Sequence, residues 1–186
     1  MNSYDFVHLV LLAVGGGISG RTKLQKTIYF LGILTGNLDE LGYRPHYYGP
    51  YSATVGDAVA RLKALNFVQE SSLHTGVVDD SGFEIARHDF LLTDEGKRIA
   101  KQKSDQYPAV WKKIQGSVTR FKQGGDLDYM KMSVAAKTFF MLSAAGRPAT
   151  TLELSESAKK LGWNPKPQEI NESIDFLEKL GLAAKK

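Results

Sequence analysis

Two stretches of this 186-residue chain bring together side chains capable of specific polar chemistry. One is Gly20-Arg21-Thr22-Lys23-Leu24-Gln25-Lys26, three cations in six residues at the head of an apolar run. Cations at a helix N-terminus oppose the helix dipole, so they suit a phosphate or carboxylate partner. The other is Arg44-Pro45-His46-Tyr47-Tyr48-Gly49-Pro50-Tyr51-Ser52. Its three tyrosines, with His46 and Arg44, form a compact aromatic and basic cluster fit for a protein surface or a nucleic-acid backbone. The competing reading packs two of the tyrosines inward with their hydroxyls hydrogen-bonded.

A third resource is charge. The net charge is +4, but residues 93–125 hold eight basic and three acidic residues, whereas residues 1–92 sum to −2 and residues 126–186 to +1. One stretch supplies the whole surplus. A basic stripe of this kind serves phosphates, an acidic protein, or solubility alone.

Catalytic and metal chemistry find little support. Cysteine is absent, which removes disulfides, thiolate metal sites and a Cys nucleophile. The four histidines, His8, His46, His74 and His88, show no zinc-ligand spacing. There is no P-loop, and Gly15–Gly20 lacks the preceding strand of a dinucleotide site. His88 and Asp89 are adjacent in a strand-like run, where neighbours face opposite ways, so they make a poor dyad. The expectation is a protein that is not an enzyme and uses no metal or cofactor.

The elements that must position these residues follow from periodicity. Asn2 or Ser3 caps a first helix to about Val14, ended by Gly15-Gly16-Gly17. Its apolar part is too short to cross a membrane, and Asp5 spoils it as a signal peptide, so a soluble cytoplasmic protein is expected. After Lys26 the next segment is apolar on nearly every face, the mark of a central buried helix, with Gly36-Asn37 as its stop. Tyr43–Tyr48 reads as a short extended run. Pro50 then opens a helix from Tyr51 to about Leu65 whose face is Val55, Ala58, Val59, Leu62 and Leu65. Two strand-like runs, Phe67–Leu73 and Phe83–Leu91, flank a polar connector, Thr75–Gly82, and Thr93 caps the next helix.

Beyond Asp105, the spacing of Tyr107, Trp111, Ile114, Val118 and Phe121 marks one long amphipathic helix. After Gly124-Gly125 come helices at about Tyr129–Ala144, Thr151–Leu161 and Gln168–Leu180. The fold class expected is α+β, mainly α: a winged-helix-like domain over 1–104, a linking helix over 105–125, and a helical unit over 126–186. The last resembles a degenerate second helix-turn-helix.

The Gly20–Lys26 run with the apolar helix after it, the Tyr47-Tyr48-Gly49-Pro50-Tyr51-Ser52 run and Lys160–Trp163 together resemble the YwgA-like family of uncharacterised bacterial and archaeal proteins. The Lys-Leu-Gln-Lys run and later Gly-Pro are more distantly similar to the SocA-like Panacea antitoxin domain. The first resemblance implies no activity; the second implies a protein-binding role, neutralising a toxin.

Two functions are expected. The leading one is a non-catalytic DNA-binding regulator contacting mainly phosphates through Arg21, Lys23, Lys26, Arg44, Arg61 and Lys63. A stripe of Lys97, Arg98, Lys101, Lys103, Lys112, Lys113 and Arg120 would join them, giving weak to moderate, salt-sensitive affinity. The helix that would enter a groove argues against base reading, since it offers Asp57, Arg61 and Lys63 where a reader carries several Arg, Lys, Asn or Gln. The alternative is a protein-interaction module using Tyr47, Tyr48 and Tyr51, with a protein partner or a second copy held by the C-terminal half. There Glu169, Glu172, Asp175 and Glu178 would repel phosphate.

Overall fold

The computed structural model describes residues 1–78, 84–125 and 127–184. It is mainly helical, with one small antiparallel sheet. Helix α1 (Ser3–Ala13) leads into strand β1 (Gly17–Ser19), and α2 (Arg21–Thr35) and α3 (Ala53–Ala64) follow. Strands β2 (Val68–Val78) and β3 (Glu84–Leu92) come next, then α4 (Asp94–Gln106) and α5 (Pro108–Gly124). Helices α6 (Tyr129–Ala145), α7 (Thr151–Lys160) and α8 (Pro167–Lys179) close the described chain.

The sheet has the order β1-β3-β2, so the expected two-stranded hairpin gains a third strand. Gly17, Ile18 and Ser19 pair with Leu91, Phe90 and Asp89, a register that three residues after a glycine run do not announce. Strand β2 continues past the expected end at Leu73 to Val78; the connector residues Asp79–Gly82 lie outside the described residues.

The helix boundaries follow local chemistry. Asn2 caps α1, accepting from the Asp5 amide at 2.8 Å. Gly36 ends α2 in the left-handed conformation, where glycine carries no Cβ penalty. The expected opening of α3 at Tyr51 is corrected: the cap is Ser52, whose hydroxyl accepts from the Val55 amide at 2.9 Å. Val55, Ala58, Val59 and Leu62 are buried as expected, but Leu65, at the cap after the last turn, is exposed. The expected single helix after Asp105 starts at Pro108 instead, and Tyr107 separates it from α4.

Three apolar clusters form the interior. The first is built around α1 with residues from α2, α3, α5 and the sheet. In the second, Tyr29 and Phe30 of α2 meet Met132, Ala135 and Ala136 of α6 and Phe176, Leu177 and Leu180 at the end of α8. That cluster crosses the boundary expected at residues 105–125. The third joins Met141, Leu154, Ala158 and Ile170 of the last three helices with Trp163, between α7 and α8.

One buried group in the first core titrates. Nε2 of His8 is 2.8 Å from the Gly96 carbonyl, which can only accept, so Nε2 carries a proton and donates. The imidazole stacks on Phe67 with 5.5 Å between ring centres. Burial first, then the nearby Lys103 charge, push its pKa from 6.5 down to about 4. Between those values the unfolded chain takes up a proton that the folded chain refuses. Stability is therefore complete above pH 6.5 and falls as pH drops toward 4. By about pH 5 the loss attributable to His8 reaches about 2 kcal/mol. Urea unfolding at about pH 7 and about pH 5 should show it, and His8→Gln, which keeps a donor without titrating, should flatten the slope.

Candidate functional site

The loop between α2 and α3 is where the two polar runs of the sequence meet. The Tyr43–Tyr48 stretch expected to be extended forms only one bridge, Arg44 with Tyr51, closed by N–H to carbonyl bonds of 2.9 and 2.8 Å. Between them the chain turns, the Gly49 amide donating to the His46 carbonyl at 2.9 Å. Turn geometry and proline override the β preference of the tyrosines.

Side chains from several elements hold this loop by its backbone. Gln25 of α2 grips Ser52 twice, donating to its carbonyl at 3.0 Å and accepting from its amide at 3.1 Å. The Lys26 ammonium donates to the Pro50 carbonyl at 2.6 Å. The Ser52 hydroxyl donates to the Leu41 carbonyl at 2.5 Å while capping α3. Ser133 of α6 donates to the Tyr48 carbonyl at 2.7 Å, and the Trp163 indole donates to the His46 carbonyl at 2.7 Å. Each bond satisfies a loop carbonyl or amide that would otherwise need water.

Lys26 is thus a correction. Expected among the phosphate contacts, it is 2% exposed, and burial and the neighbouring Lys137 lower its pKa from 10.5 to about 8. Helical geometry carries it into the packed face of α2 rather than out at the first turn. Its partner is a carbonyl of the chain itself.

The tyrosines divide differently from the inward reading. Tyr47 is 72% exposed, Tyr48 49% and Tyr51 40%. Tyr47 and Tyr48 sit edge to face with 4.9 Å between ring centres, and Tyr51 tilts against His46 at 5.3 Å. Arg44 is exposed beside them. All three rings are displayed on a backbone that buried donors hold in place.

The basic residues are more engaged than their number suggests. Arg21 lies 3.0 Å from Glu70, and Lys63 also pairs with Glu70. Arg61 stands over the Tyr4 ring at 5.0 Å. Lys97 pairs with Asp94 at 3.2 Å, Arg98 with Glu95 at 2.6 Å, and Lys103 with Asp5 at 2.5 Å. The Arg120 guanidinium lies so close to Gly181 that a Cβ there would meet it. Lys101, Lys112 and Lys113 are exposed and form no ion pair among the described residues. Lys23, at the first turn of α2, is half-buried.

Residues overlooked in the sequence are Gln25, Ser52, Ser133 and Glu70. The first two lie inside the polar runs, and the available signal for Gln25 was a neutral amide among the cations that open a helix expected to be buried. Ser133 and Glu70 carry no local signal, because their partners are distant in the chain.

Open grooves lie beside some of these residues and elsewhere on the described surface. One, of about 240 Å³, lies between α2, α3 and the sheet and is lined by Arg21, Tyr51, Lys63, Glu70 and Phe90, among others. Another, of about 500 Å³, lies between α7 and α8, where the Thr151 hydroxyl donates to Asn171 at 2.8 Å. Among the described residues no group of three or more His, Asp or Glu is placed to hold a metal, and no helix is long and apolar enough to cross a membrane. A scan against protein families finds no match for this chain, and a search among curated proteins finds none.

Proposed function

We propose that the chain is a non-catalytic protein-binding module, such as an antitoxin-like or accessory subunit, on a winged-helix frame. The order α1-β1-α2-α3-β2-β3 with a β1-β3-β2 sheet supports that frame, but fold alone does not assign function. The observation that carries the reading is the pairing of exposure with restraint: Tyr47, Tyr48 and Tyr51 face solvent on a loop clamped by Gln25, Lys26, Ser133 and Trp163. Aromatic side chains dominate interface energetics, and a pre-ordered loop spares the entropy of ordering it on binding. Exposed Tyr129, Met130 and Leu152 add apolar contact area in the C-terminal half, available to a partner or a second copy.

The test is photo-crosslinking from position 47 in cells, with position 113 as control, followed by purification of the adduct. A single stoichiometric partner joined at 47 is expected, with affinity falling about 30-fold or more in Tyr47→Ala/Tyr48→Ala. A chain that is monomeric and forms no discrete adduct would sink the reading. The DNA-binding reading comes second. It rests on the same frame and on exposed Lys101, Lys112 and Lys113, and charge reversal at the latter two would weaken duplex affinity if it holds.

A further inference from the structure

Three elements direct polar groups at one carboxylate. Arg21 Nη2, from the first turn of α2, is 3.0 Å from Glu70 Oε1; the Lys63 ammonium, from the last turn of α3, donates to Oε2; His88 Nδ1, on β3, is 2.9 Å from Oε1. Glu70 lies opposite Phe90 in the sheet register, on the face that α2 and α3 cover. Its carboxylate is 12% exposed, whereas the Arg21 and Lys63 side chains are 66% and 40% exposed. The cations thus reach from solvent over an anion seated in the groove. Their grip is strong enough to hold the Glu70 carboxyl at about 2, the Lys63 hydrogen bond contributing most.

This arrangement resembles a bound anion more than a surface ion pair. An arginine and a lysine from two different helices, converging on oxygen acceptors of a single negative charge, would hold a phosphate in the same way. A carboxylate tethered to the chain competes at high effective concentration, so an external phosphate must first displace it. We propose that Glu70 fills, from within the chain, a nucleic-acid phosphate site formed by Arg21 and Lys63, and so keeps the α2–α3 face closed to duplex. This does not depend on the protein-binding reading.

The test is fluorescence anisotropy of the full chain with a labelled random-sequence duplex at about 50 and about 200 mM salt. Glu70→Gln keeps the shape and removes the charge. It should bind about tenfold tighter than the parent at the lower salt, with a salt slope steeper by about two, one for each freed cation. Adding Arg21→Gln and Lys63→Gln to that variant should return both to the parent values. Equal affinity and slope for Glu70→Gln and parent, including no binding by either, would overturn the proposal. So would a triple variant that kept the tighter binding and steeper slope of Glu70→Gln.

Discussion

Replacing Trp163 with alanine is expected to cost about 4 kcal/mol of folding stability and to loosen a loop far away in the chain. The indole is 2% exposed and packs edge to face on Phe140, with 5.9 Å between ring centres, inside the cluster of Met141, Leu154, Ala158 and Ile170. Removing it leaves a cavity among helices that share this core. It also removes the 2.7 Å bond to the His46 carbonyl, which together with the Ser133 bond to Tyr48 ties the C-terminal helices to the displayed tyrosines. Trp163→Phe separates the two roles: it keeps most of the packing and should cost about 1 kcal/mol, the value of a single hydrogen bond. Urea unfolding reports the stability, and chymotrypsin cleavage after Tyr47 and Tyr48 reports the loop. Both variants should be cut faster than the parent, including under conditions where Trp163→Phe remains folded. Unchanged cleavage in Trp163→Phe would mean that the indole bond does not restrain the loop.

The second large effect runs against helix propensity. Gly96 lies in the first turn of α4, where alanine would ordinarily stabilise a helix by about 1 kcal/mol. Here a Cβ would stand 2.0 Å from the Phe67 carbonyl oxygen and 2.8 Å from its carbon, both backbone atoms. The neighbourhood cannot yield cheaply. Thr93 donates from its amide to that same carbonyl at 3.0 Å and from its hydroxyl to the Asn66 carbonyl at 2.7 Å. On the other side the Gly96 carbonyl holds His8. Gly96→Ala should therefore destabilise by about 3 kcal/mol, as overpacking does when the clash is with main chain. Thermal unfolding checks it; a melting temperature at or above that of the parent would refute the close approach.

Much of the architecture was legible because apolar spacing and caps are local signals. Asn2 and Thr93 announce α1 and α4, and the last three helices fall within a residue or so of where periodicity places them. What escaped was settled by contacts between distant parts of the chain. Strand β1 is three residues whose partner lies about seventy positions on. Lys26 looks like an exposed cation because a charge on a helix ordinarily points to water, and only the position of the Pro50 carbonyl gives it a place inside. The aromatic run was visible as a cluster, but its exposure depends on Ser133 and Trp163, which no spacing in the sequence connects to it. Glu70 is one acidic residue in a strand, and only the convergence of α2, α3 and β3 on it marks it out.

The middle of helix α2 has no free side. Residues 24–32 are all buried, with apolar members in both of the first two cores, and Gln25 and Lys26 committed to loop backbone. Such a segment has little room to vary, since an apolar change disturbs packing and a polar change releases the loop. Its vocabulary is set by architecture rather than by whatever the protein binds. The stretch most able to betray kinship between two chains is therefore the one least able to say what either of them does, and differences in partner are to be sought among the rings and charges that α2 holds up to the solvent.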